Sequence, residues 1–177
     1  MAGRLIPLEP GLGEEKDIAD LGTAYKVEIT ARNKQAFFES RVPQGAGSPG
    51  RVSYAGSDSC APCHPAQYEI WQATPHARAH GTLVQAGAQY RAECLVCHTT
   101  GYGQPGGYAP GIPQQTAMAN VQCESCHGPG SGHATEKKPI LRSGGMDLCL
   151  TCHTEKNSPK FDYAQYLELV KCAGAKN

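Results

Sequence analysis

Apolar residues in this chain come in short, separated groups. Between about 14 and 38, Ile18, Leu21 and Tyr25 fall on one face of a helix. Val27 and Ile29 alternate and fit a short strand equally well, so the sequence leaves both readings open. Pro65-Ala-Gln-Tyr68-Glu-Ile-Trp71-Gln-Ala predicts a helix that starts on proline, with Tyr68 and Trp71 on a shared face. Thr74-Pro75 interrupts it, because the residue before proline is driven to extended backbone. A second short helix is predicted from near His76 past Leu83. The glycine-rich run from Thr99 to Tyr108 reads as loop, and 114–121 as a short helix. Gly128-Pro-Gly-Ser-Gly-His133 reads as a tight glycine turn that carries a histidine. Tyr163, Tyr166, Leu167 and Val170 stand at i, i+3, i+4 and i+7, which predicts an amphipathic terminal helix delivering Cys172 near its end. The expected fold is mainly α with little regular structure: short helices and loops.

Two stretches punctuate this pattern. Leu5-Ile-Pro-Leu-Glu-Pro-Gly-Leu-Gly reads as an extended linker, and Gln44-Gly-Ala-Gly-Ser-Pro-Gly as a turn-rich joint. Residues 1–50 hold no cysteine and no histidine, and are expected to be a linker or packing arm. Residues 51–177 form the second unit. No apolar run is long enough to cross a membrane. Met1-Ala-Gly-Arg-Leu-Ile-Pro lacks the sustained apolar stretch of a secretory leader.

Composition sharpens the problem. Of 177 residues, 21 are glycine and 13 proline, and large apolar residues are sparse between Cys94 and Cys152. Such a polypeptide has too little to bury for a core of its own. The formal net charge of zero gives no basic footprint for nucleic acid.

The cysteines answer the problem. Eight of nine lie in four pentapeptides: Cys60-Ala-Pro-Cys63-His64, Cys94-Leu-Val-Cys97-His98, Cys123-Glu-Ser-Cys126-His127 and Cys149-Leu-Thr-Cys152-His153. A single C-x-x-C fits a redox dithiol or half a zinc site. Two four-thiolate zinc sites would use all eight cysteines, yet leave the histidine after every second cysteine unexplained, four times over. A disulfide scaffold does not demand the fixed gap. The full pentapeptide is the attachment site of c-type haem: two thiols form thioethers and the histidine becomes the proximal iron ligand. The chain is therefore expected to carry four haem c groups, which supply the missing core as cofactors do in small metal domains. Haem of this type is attached outside the cytoplasm, so a periplasmic or extracellular location is expected. The native leader would then have been removed, or the chain is a piece of a longer exported protein.

Four irons offer eight axial positions, and His64, His98, His127 and His153 fill four. His76, His80 and His133 remain, with Cys172, Met118 and Met146 as other candidates. At least one haem therefore lacks a histidine distal ligand within one chain. His76 and His80 share a helical face and cannot both serve one iron. His76 and His133 are the expected ligands. His80 is either a ligand or a packing residue. Cys172 is either a plain thiol near the terminus or a thiolate on iron, which would shift that haem's redox range.

These residues resemble the tetrahaem cytochromes of the cytochrome c-554 type, also seen in multihaem domains of metal-reducing bacteria. The matching pieces are Cys60-Ala-Pro-Cys-His-Pro-Ala-Gln-Tyr-Glu-Ile-Trp-Gln-Ala-Thr-Pro-His76-Ala and Cys94-Leu-Val-Cys-His-Thr-Thr-Gly-Tyr-Gly. Val121-Gln-Cys-Glu-Ser-Cys-His-Gly-Pro-Gly-Ser-Gly-His133, Leu148-Cys-Leu-Thr-Cys-His and Asn157-Ser-Pro-Lys-Phe-Asp-Tyr complete the set, so the resemblance covers about 54–172. It implies short helices wrapped round four closely stacked haems, distal ligation by His76 and His133, and one five-coordinate haem. Relatives commonly place a histidine ligand where this chain has Cys172, and an apolar residue where it has His80. The first 50 residues fall outside the match and resemble the tail of exported calcineurin-like phosphoesterases that carry cytochrome domains.

Three functions follow as expectations. The first is electron transfer to redox partner proteins or other cytochromes, with no turnover. The second is an enzyme or ligand-binding protein acting on a small nitrogen oxide, hydroxylamine or peroxide at a five-coordinate haem. The third is a homo-oligomer or conducting filament, with a neighbouring chain's histidine, or His80, filling the deficit.

Overall fold

In the computed structural model of the chain, residues 15–39, 53–140 and 144–172 are described, and their regular structure is helical. The linker expected over 5–13 and the joint over 44–50 lie outside the described residues. Helix α1 spans Lys16–Glu39 and settles the first ambiguity in favour of helix. The i,i+4 pairs Lys16–Asp20 and Glu28–Arg32 support it, and no neighbouring strand offers Val27 and Ile29 a ladder among the described residues. Ile18, Leu21 and Tyr25 are all more than 60% exposed, so the predicted face is not buried. Near its far end the helix meets the body of the protein, where the Asn33 side chain donates to the Tyr90 carbonyl at 3.0 Å.

Helix α2 (Pro65–Ala73) starts on proline as expected. Thr74 is extended, a 3-10 turn follows over Pro75–Arg78, and α3 covers Ala79–Gln85. Helix α4 (Ala92–His98) precedes the predicted loop. Helix α5 is shorter than expected, Pro113–Thr116 rather than 114–121. The chain leaves it because its next residues are used elsewhere. Ala119 bridges Thr99, and Asn120 takes a left-handed φ of 73° with its side chain accepting from the His80 N–H at 2.9 Å. Helix α6 is Cys123–His127, and α7 is Ser131–Glu136. His133 therefore rides on α7, and only the segment before it is the glycine turn, with Gly128 at φ 76°. Helices α8 (Gly145–Leu150) and α9 (Tyr163–Val170) complete the order. Asp162 caps α9 by accepting from the Gln165 N–H at 2.9 Å.

The apolar core among the described residues is Leu83, Ala88, Leu95, Tyr108 and Met118. Beside it lies a polar hub. Thr100 is fully buried; its hydroxyl donates to the Asn120 carbonyl at 2.8 Å and accepts from the Gln122 N–H at 2.9 Å. Its backbone N–H donates to Met118 O at 2.9 Å, and its carbonyl accepts from Tyr108 N at 2.8 Å. Gly107 packs so closely on Gly101 that a Cβ there would lie 1.9 Å from the Gly101 carbonyl oxygen. Hydrogen bonds thus fix the loop that a larger apolar core would otherwise hold.

Thr100→Val keeps the shape and removes the hydroxyl, leaving the Gln122 N–H and Asn120 carbonyl without this partner. It is expected to cost roughly 2–5 kcal/mol, read as a lowered denaturation midpoint of the haem-loaded protein. Thr135→Val, whose hydroxyl bonds the Ser131 carbonyl on an exposed helix face, is expected to stay within about 0.5 kcal/mol.

Candidate haem-binding site

Each pentapeptide is closed into one helical turn. At the first and fourth motifs the histidine N–H donates to the first cysteine's carbonyl, His64 to Cys60 and His153 to Cys149, both at 2.9 Å. The second motif ends α4, and the third is α6 itself. One turn brings positions i, i+3 and i+4 to a common face, so both thiols and the imidazole point the same way. All eight motif cysteines are free thiols, half-buried or exposed, and available for covalent attachment.

Opposite two of the motif histidines stands a second imidazole. The His133 ring lies 6.3 Å from that of His64, stacked at 27°. The His76 ring lies 6.1 Å from that of His153, tilted at 48°. A first-row metal–imidazole bond is about 2.0 Å, so two rings on opposite sides of one metal have centroids roughly 6 Å apart. Both pairs have the spacing that one iron between two imidazoles requires. The cavity lined by His64 and His133 is also lined by Cys60, Cys63 and Ile140, so thiols, imidazoles and an apolar wall converge there.

Hydrogen bonds fix several of these rings. His133 Nδ1 meets the Lys138 carbonyl, and His98 Nδ1 the Ala79 carbonyl, each at 2.8 Å. A carbonyl only accepts, so Nδ1 carries the proton and Nε2 keeps its lone pair for a metal. His153 Nδ1 meets the Ser158 hydroxyl at 3.1 Å, with Phe161 stacked on its ring at 4.7 Å and Tyr166 edge-on at 5.6 Å. Burial, then the field of His153, holds the His76 pKa below the ordinary range, and burial lowers that of His153. Both shifts favour the neutral, ligating imidazole.

His80 is placed differently. Its Nε2 lies 2.9 Å from the hydroxyl of buried Tyr108, with the rings 5.2 Å apart. Among the described residues no imidazole faces His98 at the spacing seen for the other two pairs. Met118 is packed in the core, and Met146 is exposed on α8. Cys172 is exposed beyond α9, and its field reaches both Cys123 and Cys126.

Thiols from different motifs also meet. Cys60 and Cys123 share a hydrogen bond, and the Cys123 pKa is raised by that bond and by burial. Burial and the bond to Cys152 push the Cys97 thiol up to about 12. The first motif thus adjoins the third, and the second adjoins the fourth. The Cys126 thiol is raised by burial and by the fields of Cys149, Cys172 and Cys152, which brings the third motif near the fourth. Sequence spacing does not reveal this order. Nor does it reveal Tyr108 or Glu124, whose roles depend on contacts 28 to 69 residues away in the chain.

The family described as cytochrome c554 and c-prime matches residues 59–128, and a doubled CXXCH motif family matches 116–158. Cytochrome c-554 of Nitrosomonas europaea is 31% identical over 135 residues, covering 56% of this chain and 57% of its own. The chain thus spans a little over half the length of that relative. No solved structure matches it significantly.

His133→Ala and His76→Ala are each expected to turn one low-spin haem high-spin while all haems stay attached. Low-temperature EPR and the visible spectrum read the change, and an unchanged low-spin count would separate that histidine from iron.

Proposed function

We propose that the chain, whose residues 59–128 match the cytochrome c554 and c-prime family and 116–158 the doubled CXXCH motif family, is a c-type cytochrome of the cytochrome c-554 type that transfers electrons through four covalently attached haems outside the cytoplasm. The observation that carries the reading is the pair of facing imidazoles, His64 with His133 and His76 with His153, at 6.3 and 6.1 Å. Bound haem supplies the one-electron couple. The chain supplies attachment at Cys60 and Cys63, Cys94 and Cys97, Cys123 and Cys126, and Cys149 and Cys152, with proximal nitrogen from His64, His98, His127 and His153. An iron held between two such imidazoles would have no position left for substrate and would keep its coordination between redox states, which would suit transfer rather than turnover.

The contacts between motifs support a continuous route. Cys60 beside Cys123, Cys126 near Cys149 and Cys152, and Cys97 beside Cys152 give the order first, third, fourth, second motif. The proposed unit is 51–177, with 1–50 as an arm. No helix among the described residues is long and apolar enough to cross a membrane. Partners are redox proteins or other cytochromes in the periplasm or at the cell surface.

One observation favours a second reading at the second motif. His80, the remaining spare histidine, has its Nε2 against Tyr108, so the haem beside His98 keeps an open distal position for a small nitrogen oxide, hydroxylamine or peroxide. Cys172, whose field raises the Cys123 and Cys126 thiols, is the candidate sixth ligand at the third motif.

Denatured holoprotein is expected to weigh the chain plus four haems, and film voltammetry to show reversible one-electron waves. A smaller mass or no electrode response would overturn the main reading. EPR of the oxidised protein is expected to show a high-spin ferric signal that disappears on adding nitric oxide. Wholly low-spin iron would sink the second reading and leave the first intact.

A further inference from the structure

Glu124 belongs to the third motif by sequence, between Cys123 and Cys126, yet its carboxylate lines the cavity of the first. The residue is 3% exposed. One carboxylate oxygen accepts from the Ala55 N–H at 2.8 Å and the Gly130 N–H at 2.6 Å. The other accepts from the Gly56 N–H at 2.7 Å. All three contacts are donors, which suits an acceptor-only group, the ionised carboxylate. Gly130 leaves room for this approach: a Cβ there would lie 3.2 Å from the Glu124 oxygen. Among the described residues no lysine or arginine forms an ion pair with Glu124. The cation of the same cavity, Lys137, is exposed and its ammonium reaches Cys63 at 3.9 Å from the solvent side, where water screens it.

A structural role alone would be to clamp 55–56 and Gly130 onto α6. The charge adds a second consequence. Oxidised haem iron carries one positive charge more than reduced iron, and net charge and hydrogen bonding around a centre set its potential. A fixed negative charge on a buried side chain is screened less than one in solvent. The cavity is the one whose walls carry His64 and His133.

Resting on the haem reading above, we propose that Glu124 is a potential-setting residue. Its backbone-held carboxylate favours the oxidised state of the haem at the first motif and lowers that haem's potential below that of the His76/His153 haem, which has the same axial ligands. The step is one electron onto iron, with no proton or bond change. The His76/His153 pair is instead packed by Phe161 and Tyr166 around His153, so its surroundings are aromatic.

Glu124→Gln keeps an oxygen for the Ala55 and Gly130 N–H groups and removes the charge. In the fully haem-loaded protein, a spectropotentiometric titration is expected to move the first-motif haem upward. The oxidised-to-reduced ratio at fixed potential should fall at least tenfold, about 59 mV for one electron, with the His76/His153 haem unmoved. Glu124→Asp, which retains charge, should shift it less. A first-motif haem that is present, low-spin and unshifted in Glu124→Gln would overturn the inference while leaving the haem reading intact. Absence of haem on the Cys60–Cys63 peptide of the wild-type chain would instead overturn that reading. Where Glu124→Gln fails to load haem, the wild-type protein decides. With the two signals assigned through His133→Ala and His76→Ala, the His64/His133 haem should be reduced after the His76/His153 haem, and the reverse order would overturn the proposal.

Discussion

The backbone hydrogen bond from histidine N–H to the first cysteine's carbonyl, 2.9 Å at both His64 and His153, closes an attachment motif into one helical turn. That turn fixes two thiols and an imidazole on one face, and so fixes where a flat macrocycle must lie. The remaining structure answers that placement. Helix α7 carries His133 to the face opposite His64, and the 3-10 turn after α2 carries His76 opposite His153.

With five buried apolar side chains among the described residues, the loops between motifs rely on buried polar groups that satisfy one another. Thr100, Gln122 and Glu124 take three separate backbone segments as partners: 117–122, 55–57 and 130. Polar groups of this kind are directional, so they specify a single loop geometry where a few methyl groups would not. The cost is dependence on completeness, because each partner lost leaves a buried donor or acceptor behind. Attached haem adds the apolar surface that the chain lacks.

The motifs, the start of α2 on Pro65 and the α9 face of Tyr163, Tyr166 and Val170 were legible because they are local: spacing alone defines them. The pairing of His133 with His64 and of His76 with His153 was not legible, because spacing along the chain carries no information about which turn faces which. Sequence periodicity also could not tell that Ile18, Leu21 and Tyr25 would stay exposed, since it marks a shared face and says nothing of what covers it. His133 sits on a helix rather than a glycine turn because Gly130 ends the turn and Ser131 begins α7. In the sequence His80 is a candidate ligand or packing residue, one helical turn from His76 on the same face. Only the fold brings Tyr108, 28 residues on, to its Nε2.

His76 and His80 therefore show how similar two candidate ligand histidines can be in burial while differing in their neighbours. Both are half-buried, and burial holds both pKa values down. What differs is the neighbour. The His76 ring lies 6.1 Å from the His153 imidazole, while the His80 Nε2 meets the Tyr108 hydroxyl at 2.9 Å. A similar contrast holds for charge. Glu93 is exposed at the start of α4 and pairs with Arg91 in solvent, where the field is screened within a few water layers. Glu124 is enclosed by backbone donors, where its field is screened less than in solvent. In a chain whose irons share the same attachment motif, the differences between sites must come from such neighbours.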